Sequence, residues 1–242
     1  MKPYKCSKTG EQRLWFKPGE IDDWMEVELR TANLYPTAEN PQVDIETFVS
    51  GLDVDLDQYC PLPETVLGKI EFEAGKRTKV LINRALTMVA VDDADAARWL
   101  RSKWRMTMAH EASHVLLHKN LFPTNAGQRS LFDLEDDDLG SGANRHFHCL
   151  ERNLARGGPD WREVQANKGM AALLMPKALF LALCRSDRER RFDAERPIFK
   201  DSPEAYGLAQ SLSELFDVSV QSVQIRLEEL KVFATPGQAQ LL

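Results

Sequence analysis

The five residues His110-Glu111-Ala112-Ser113-His114, inside the run from Arg105 to His118, restrict what this chain can fold into more than any other stretch. They have the form H-E-x-x-H. On a helix the two histidines stand at i and i+4, so both imidazoles project from one face about one turn apart. That spacing lets a nitrogen from each ring reach a single Zn²⁺ at roughly 2.0–2.1 Å. Glu111 flanks the same place without being a ligand and can take a proton from water activated there. The same pattern also arises by chance as polar groups on a helix surface, so the rest of the chain has to decide between the two.

Nothing in the bulk composition opposes a metal enzyme. A chain of 242 residues can bury one large core or two small ones. Hydrophobic residues at 43% and charged residues at 28% match an average soluble globular protein. The net charge of −6 argues against broad binding to nucleic acid or to an anionic membrane. Cys6, Cys60, Cys149 and Cys184 are widely spaced with no C-x-x-C pair, and read as reduced thiols rather than a disulfide frame. The first residues lack the apolar core of a signal peptide, and the most apolar run, Met170 to Cys184, is broken by Pro176 and Lys177. The expectation is a soluble cytoplasmic protein without membrane association.

Residues 1–40 read as an N-terminal extension, with turn signals at Pro3, Gly10, Pro18-Gly19 and Pro36 around one short helix, Ile21 to Asn33. A short helical segment beginning at Val43 stops at Gly51. Three β-type runs follow, Val66 to Glu73, Thr78 to Asn83 and Leu86 to Val91, and predict a small antiparallel three-stranded sheet. Asp92-Asp93-Ala94-Asp95 offers an N-cap and an acidic first turn to a helix from Ala96 to about Lys119, which carries the motif. Residues 120–159 lose all periodicity, and a stretch of that length is either disordered or functional. Helices are then predicted over Asp160 to Met175, Lys177 to Arg185, Pro203 to Phe216 and Ser219 to Phe233. The fold class expected is α+β: the sheet packed on a helical core within residues 41–200, with residues 201–242 as a C-terminal helical hairpin on the same unit.

Two histidines do not hold zinc firmly, and a catalytic site usually has three protein ligands. All five histidines lie between positions 110 and 148, so His118, His146 and His148 are candidates, as are downstream carboxylates. The pattern H-E-x-x-H-x-x-G-x-x-H is excluded, because Leu117 stands at its glycine and Asn120 at its third histidine. Glu163 fits the remaining common arrangement, a glutamate from a second helix lying antiparallel across the first. Asn167, one turn beyond Glu163 on the same face, is placed to hydrogen-bond a ligand histidine from outside. His118 is the next turn of the motif helix and reads best as a packing histidine that contacts the site.

The run Arg105 to His118 resembles the motif helix of the ImmA/IrrE family of metallopeptidases. Glu163-Val-Gln-Ala-Asn-Lys-Gly-Met-Ala-Ala-Leu-Leu-Met-Pro176 is similar to that family's second signature. Leu62-Pro63 with Gly68, Ile82-Asn83, and Val218-Ser219 leading to Arg226-Leu227 are further echoes, and the resemblance spans roughly residues 41 to 233. It implies a zincin-like core of the gluzincin kind, Zn²⁺ held by His110, His114 and Glu163, and Glu111 as catalytic base. Two departures stand out. Ser113 replaces the glycine usual before the second histidine, and the 49 residues from His114 to Glu163 (163 − 114) exceed the family's spacing. The surplus makes loop 120–159 this chain's own elaboration: a lid, a substrate-selecting surface or an autoinhibitory plug.

The reaction expected is peptide-bond hydrolysis, with His146, His148, Arg145 and Tyr206 as candidate donors to the oxyanion. The resemblance implies a narrow endopeptidase that cleaves an intracellular regulator, typically a helix-turn-helix repressor, in a stress, mobile-element or phage-related response. The alternative is a metal-bound regulatory protein or one half of a toxin–antitoxin pair. The C-terminal hairpin has the rhythm of a helix-turn-helix, but its second helix carries only Arg226 and Lys231 against two glutamates, which argues against nucleic acid as a partner. No feature of the sequence sets an oligomeric state.

Overall fold

A two-stranded antiparallel hairpin opens the chain, β1 (Lys2–Lys5) with β2 (Gln12–Trp15), Pro3 opposite Leu14. Helix α1 (Glu20–Thr31) follows, with Glu20, Asp22 and Asp23 in its first turn, where carboxylates suit the positive end of the helix. Its buried residues Ile21, Met25 and Leu29 recur every four positions, the stripe of a helix lying on a core. Helix α2 (Ile45–Ser50) starts at Asp44, whose carboxylate accepts the Thr47 amide at 3.0 Å. The structure, a computed structural model, describes residues 1–5, 12–73, 76–93, 95–121, 144–150, 160–191 and 197–234; over 144–150 it describes the backbone and the Cys149 side chain.

The sheet is mixed and four-stranded, not antiparallel and three-stranded as predicted. Strands β3 (Val54–Cys60), β4 (Val66–Glu73), β5 (Thr78–Asn83) and β6 (Asn144–Leu150) lie in the order β3-β5-β4-β6. β3 runs parallel to β5, and β4 runs antiparallel to both β5 and β6. Two predicted strands occur with their predicted bounds. The third does not: Leu86–Val91 belongs to α3 (Arg84–Thr87) and the π-helical turn Met88–Asp92 that continues it. Asn83 is the reason. Its Oδ1 accepts the Ala85 amide at 2.9 Å and starts the helix, while its Nδ2 donates to the carbonyls of Leu62, Pro63 and Val66. Capping wins over the β-propensity of Val89 and Val91.

Helix α4 (Arg98–His118) carries the motif. Ala97 is its N-cap and no acid lies in its first turn, so Asp92, Asp93 and Asp95 precede the helix rather than opening it. Helix α5 (Trp161–Leu174) begins at Asp160, which accepts the Arg162 amide at 3.0 Å. Helix α6 (Lys177–Arg191) runs past its predicted end at Arg185. The C-terminal hairpin is α7 (Pro203–Phe216) and α8 (Val220–Glu229), N-capped by Ser202 and Ser219. α8 stops short of its predicted end, where Lys231 takes a φ of 56°. One apolar cluster runs from Ile21 on α1 through β4, β5, α4 and α5 to Leu227 on α8, so the first 40 residues share the core of the rest. Among the described residues no single helix is long and apolar enough to cross a membrane.

Candidate metal centre

Two helices build the site. The ring of His118 meets Trp161 edge-on at 5.8 Å, His114 meets Glu163, and His110 meets Asn167, so α4 and α5 lie antiparallel. Their close approach depends on Gly169. A Cβ at that position would stand 2.7 Å from Ser113 Oγ and 2.8 Å from Ser113 Cβ. Ser113 turns its hydroxyl back onto the Ala109 carbonyl at 2.7 Å. The serine before the second histidine is thus accommodated by a glycine on the helix opposite.

At the crossing four candidate ligand atoms from three residues converge. His114 Nε2 lies 3.2 Å from His110 Nε2 and 3.2 Å from Glu163 Oε1, and His110 Nε2 lies 3.3 Å from Glu163 Oε2. All three residues are buried, the histidines with no exposed surface. A buried His-His-Glu group of this kind can hold a metal ion.

The surrounding hydrogen bonds decide which ring nitrogens carry protons. Gln165 Nε2 donates to the Leu14 carbonyl at 2.7 Å, which turns Gln165 Oε1 toward His118 Nε2–H at 3.1 Å. His118 Nδ1 is then a lone pair and accepts from His114 Nδ1–H at 3.0 Å. His110 Nδ1–H donates to Asn167 Oδ1 at 3.0 Å. Both Nε2 atoms are left as lone pairs facing each other and the Glu163 carboxylate. Two such nitrogens and a carboxylate so close, with no proton among them, repel unless a cation lies between them.

Electrostatics point the same way. Burial pushes the Glu163 carboxyl up, but a proton shared from either imidazole, as long as no metal takes its place, outweighs burial and holds the carboxyl well below the usual carboxylate range. Burial, opposed in part by Glu163, lowers the His114 pKa to about 4, and burial followed by the neighbouring His114 puts His118 well below an ordinary histidine. An ionised carboxylate and neutral imidazoles are the forms in which these groups bind metal. Glu111 behaves in the opposite sense. Burial first, then the charge of Glu163, raises its carboxyl well above the ordinary value. The Cys149 amide approaches and pulls weakly the other way, yet neither Glu111 oxygen has a hydrogen-bond partner of normal geometry.

The sheet covers this carboxyl. A Cβ at Gly68 on β4 would lie 2.7 Å from Glu111 Oε1. Cys149 on β6 stands opposite Gly68 in register and is 1% exposed. Burial, then Glu111 and Glu163, raises its thiol well above the ordinary value.

His110, Glu111, His114, Glu163, Asn167 and His118, all singled out from the sequence, therefore meet in one buried cluster. Tyr206 does not join them: it is 56% exposed on α7 and its side chain makes no hydrogen bond among the described residues. His146 and His148 stand on β6 opposite Glu71 and Lys69. Their side chains and that of Arg145 lie outside the described residues, as does most of loop 120–159, namely 122–143 and 151–159. Sequence reasoning missed Gln165, Leu14 and Gly169. Gln165 follows Trp161 by four positions, the one signal that both meet His118; Leu14 acts through its backbone carbonyl and offers none. No model of a known protein family matches this chain, and no curated protein matches it either.

Proposed function

We propose that the chain is a zinc-dependent endopeptidase with a zincin-like core of the ImmA/IrrE kind, acting on an intracellular regulatory protein. The observation that carries this reading is the meeting of His110, His114 and Glu163 beside a buried carboxyl, Glu111, whose oxygens make no hydrogen bond of normal geometry among the described residues. The spacing supports zinc. A tetrahedral ion about 2.1 Å from each donor sets donors about 3.4 Å apart; the two imidazole nitrogens stand 3.2 Å apart, and each has one of the two Glu163 oxygens 3.2–3.3 Å away. Two imidazoles and one carboxylate, with a fourth position left over, is the ligand set of a catalytic rather than a structural zinc.

Zinc at such a site polarises a scissile carbonyl and brings the pKa of water toward about 7. Glu111 takes a proton from the attacking water and hands it to the leaving amine, and its raised pKa suits a group that carries a proton between two steps. Asn167 and His118 hold the two imidazoles in the tautomer and orientation the ion needs. The resemblance to the ImmA/IrrE motifs supports a helix-turn-helix repressor as the substrate class.

One observation favours a second reading. His110, Glu111 and His114 have no exposed surface, which also suits a metal-stabilised binding protein such as half of a toxin–antitoxin pair. The two separate when the full chain, as wild type and as Glu111→Gln, is incubated with candidate repressors with and without a chelator. The protease reading expects one zinc per chain in both proteins and cleavage that the chelator stops. It also expects cleavage about 10²–10⁴-fold slower in Glu111→Gln. Undiminished cleavage by the variant rules the mechanism out; zinc retention with no cleavage of any candidate favours the binding protein.

A further inference from the structure

Gln165 takes no part in the chemistry above, yet it lies in the middle of a hydrogen-bond chain that ends on a metal-facing atom. The order of that chain is fixed from one end. The Leu14 carbonyl on β2 can only accept, so Gln165 presents Nε2 to it at 2.7 Å and Oε1 to His118 at 3.1 Å. The His114 Nδ1 proton then goes to His118 Nδ1 at 3.0 Å, and His114 Nε2 turns its lone pair toward His110 and Glu163. Reversing the Gln165 amide would set two acceptors 2.7 Å apart at Leu14. The anchor is itself held in place. Leu14 is 2% exposed and pairs with Pro3 in the β1–β2 hairpin, and Trp161 braces the His118 ring edge-on.

We propose that Gln165 is a positioning residue for the metal centre and that the β1–β2 hairpin is its anchor, so that docking of the hairpin and binding of the metal strengthen each other. The proposal rests on the reading of His110, His114 and Glu163 as metal ligands. It gives the paired strands β1 and β2 a task at the site, which their composition alone does not suggest. Groups that orient a ligand histidine are worth about 10- to 100-fold in metal affinity. The coupling must also act in reverse, because linkage between two binding events is reciprocal.

The test uses the full chain and two readouts independent of activity: Zn²⁺ affinity by competition with a chromophoric chelator, and the visible spectrum of the Co²⁺-loaded protein. Gln165→Met removes both hydrogen bonds and is expected to weaken Zn²⁺ about 10- to 100-fold and to change the Co²⁺ bands. Gln165→Glu keeps the acceptor toward His118 but sets its second oxygen against the Leu14 carbonyl, so it should keep the Co²⁺ bands nearer to wild type than Gln165→Met does while losing the protection of β2 by Zn²⁺. In the wild type, Zn²⁺ should slow amide exchange in β2 more than in β3, the far edge strand of the sheet, a measurement that needs no substitution. Unchanged affinity and spectrum in a folded Gln165→Met, or β2 exchange indifferent to Zn²⁺, overturns the proposal. A wild-type chain that takes up no metal overturns the ligand reading instead, and shows this before any variant is made.

Discussion

A methyl group added at Gly68 would stand 2.7 Å from Glu111 Oε1 and 2.8 Å from Thr107 Cγ2. Neither neighbour has room to retreat. Glu111 and Thr107 have no exposed surface, and the Thr107 hydroxyl is tied to the Lys103 carbonyl at 2.9 Å. Gly68→Ala should therefore cost about 1–3 kcal/mol in urea unfolding and move Glu111, lowering hydrolysis while one metal per chain remains bound. An unchanged melt with full activity would show that strand and helix part easily. The facing lone pairs lead to a second expectation. An ion present at 100 times its Kd stabilises by about 2.7 kcal/mol, which for a chain of this size is about 5–10 °C in Tm. Chelation should lower Tm by that much in a calorimetric scan, and a Tm blind to chelator would mean that the cluster holds no metal.

Between the two motif helices, Gly169 of α5 lies close against Ser113 of α4. Gly169→Ala is expected to cost about 1–3 kcal/mol, and adding Ser113→Gly should recover part of it, a coupling of at least about 0.5 kcal/mol. Strictly additive costs in denaturant unfolding would place the strain elsewhere. The same helix pair shows why half of this site was legible. His110 with His114, and Glu163 with Asn167, each obey the i, i+4 rule, which is local and survives any tertiary context. The sheet obeys no local rule of that kind. Leu86–Val91 has the composition of a strand, but the Asn83 side chain starts a helix there while holding three carbonyls from residues 62 to 66. β3 alternates in burial from Val54 to Cys60, but Val54 alone is fully buried and Gln58 stands on the inward face, so its apolar signal is short. β6 pairs with a strand more than 70 residues earlier, and nothing in Asn144–Leu150 announces a partner that far away. Gln165 escaped for a related reason, since its anchor is a backbone carbonyl 151 positions away.

On the scale of the whole molecule, Arg226 holds the ends of the chain together. It lies on α8 with 2% of its side chain exposed, pairs with Asp22 on α1, and donates to the Met175 carbonyl at the end of α5 at 3.0 Å. The α8 cation that a phosphate backbone would seek is thereby spoken for. Asp22 keeps 17% of its side chain in water whereas Arg226 does not, so the two halves of the pair are unequal. Asp22→Ala leaves the buried Arg226 with the Met175 carbonyl and a longer contact to Glu229 at 3.8 Å, and should cost about 1–3 kcal/mol. Arg226→Met, which fills the same space without a charge, should cost less. Urea unfolding decides this, and a larger loss in Arg226→Met would mean that the guanidinium packs rather than pairs. The burial of His110, Glu111 and His114 between α5 and the β4–β6 side of the sheet also has a kinetic meaning. If these residues hold an ion, the described residues leave little of its ligands open to solvent, Glu163 alone keeping 6% of its surface exposed, so its lifetime depends on how often the fold gapes as well as on the strength of its bonds. Stripping by a chelator should then reach a plateau rate as chelator is raised, and that plateau is the opening rate of the molecule itself.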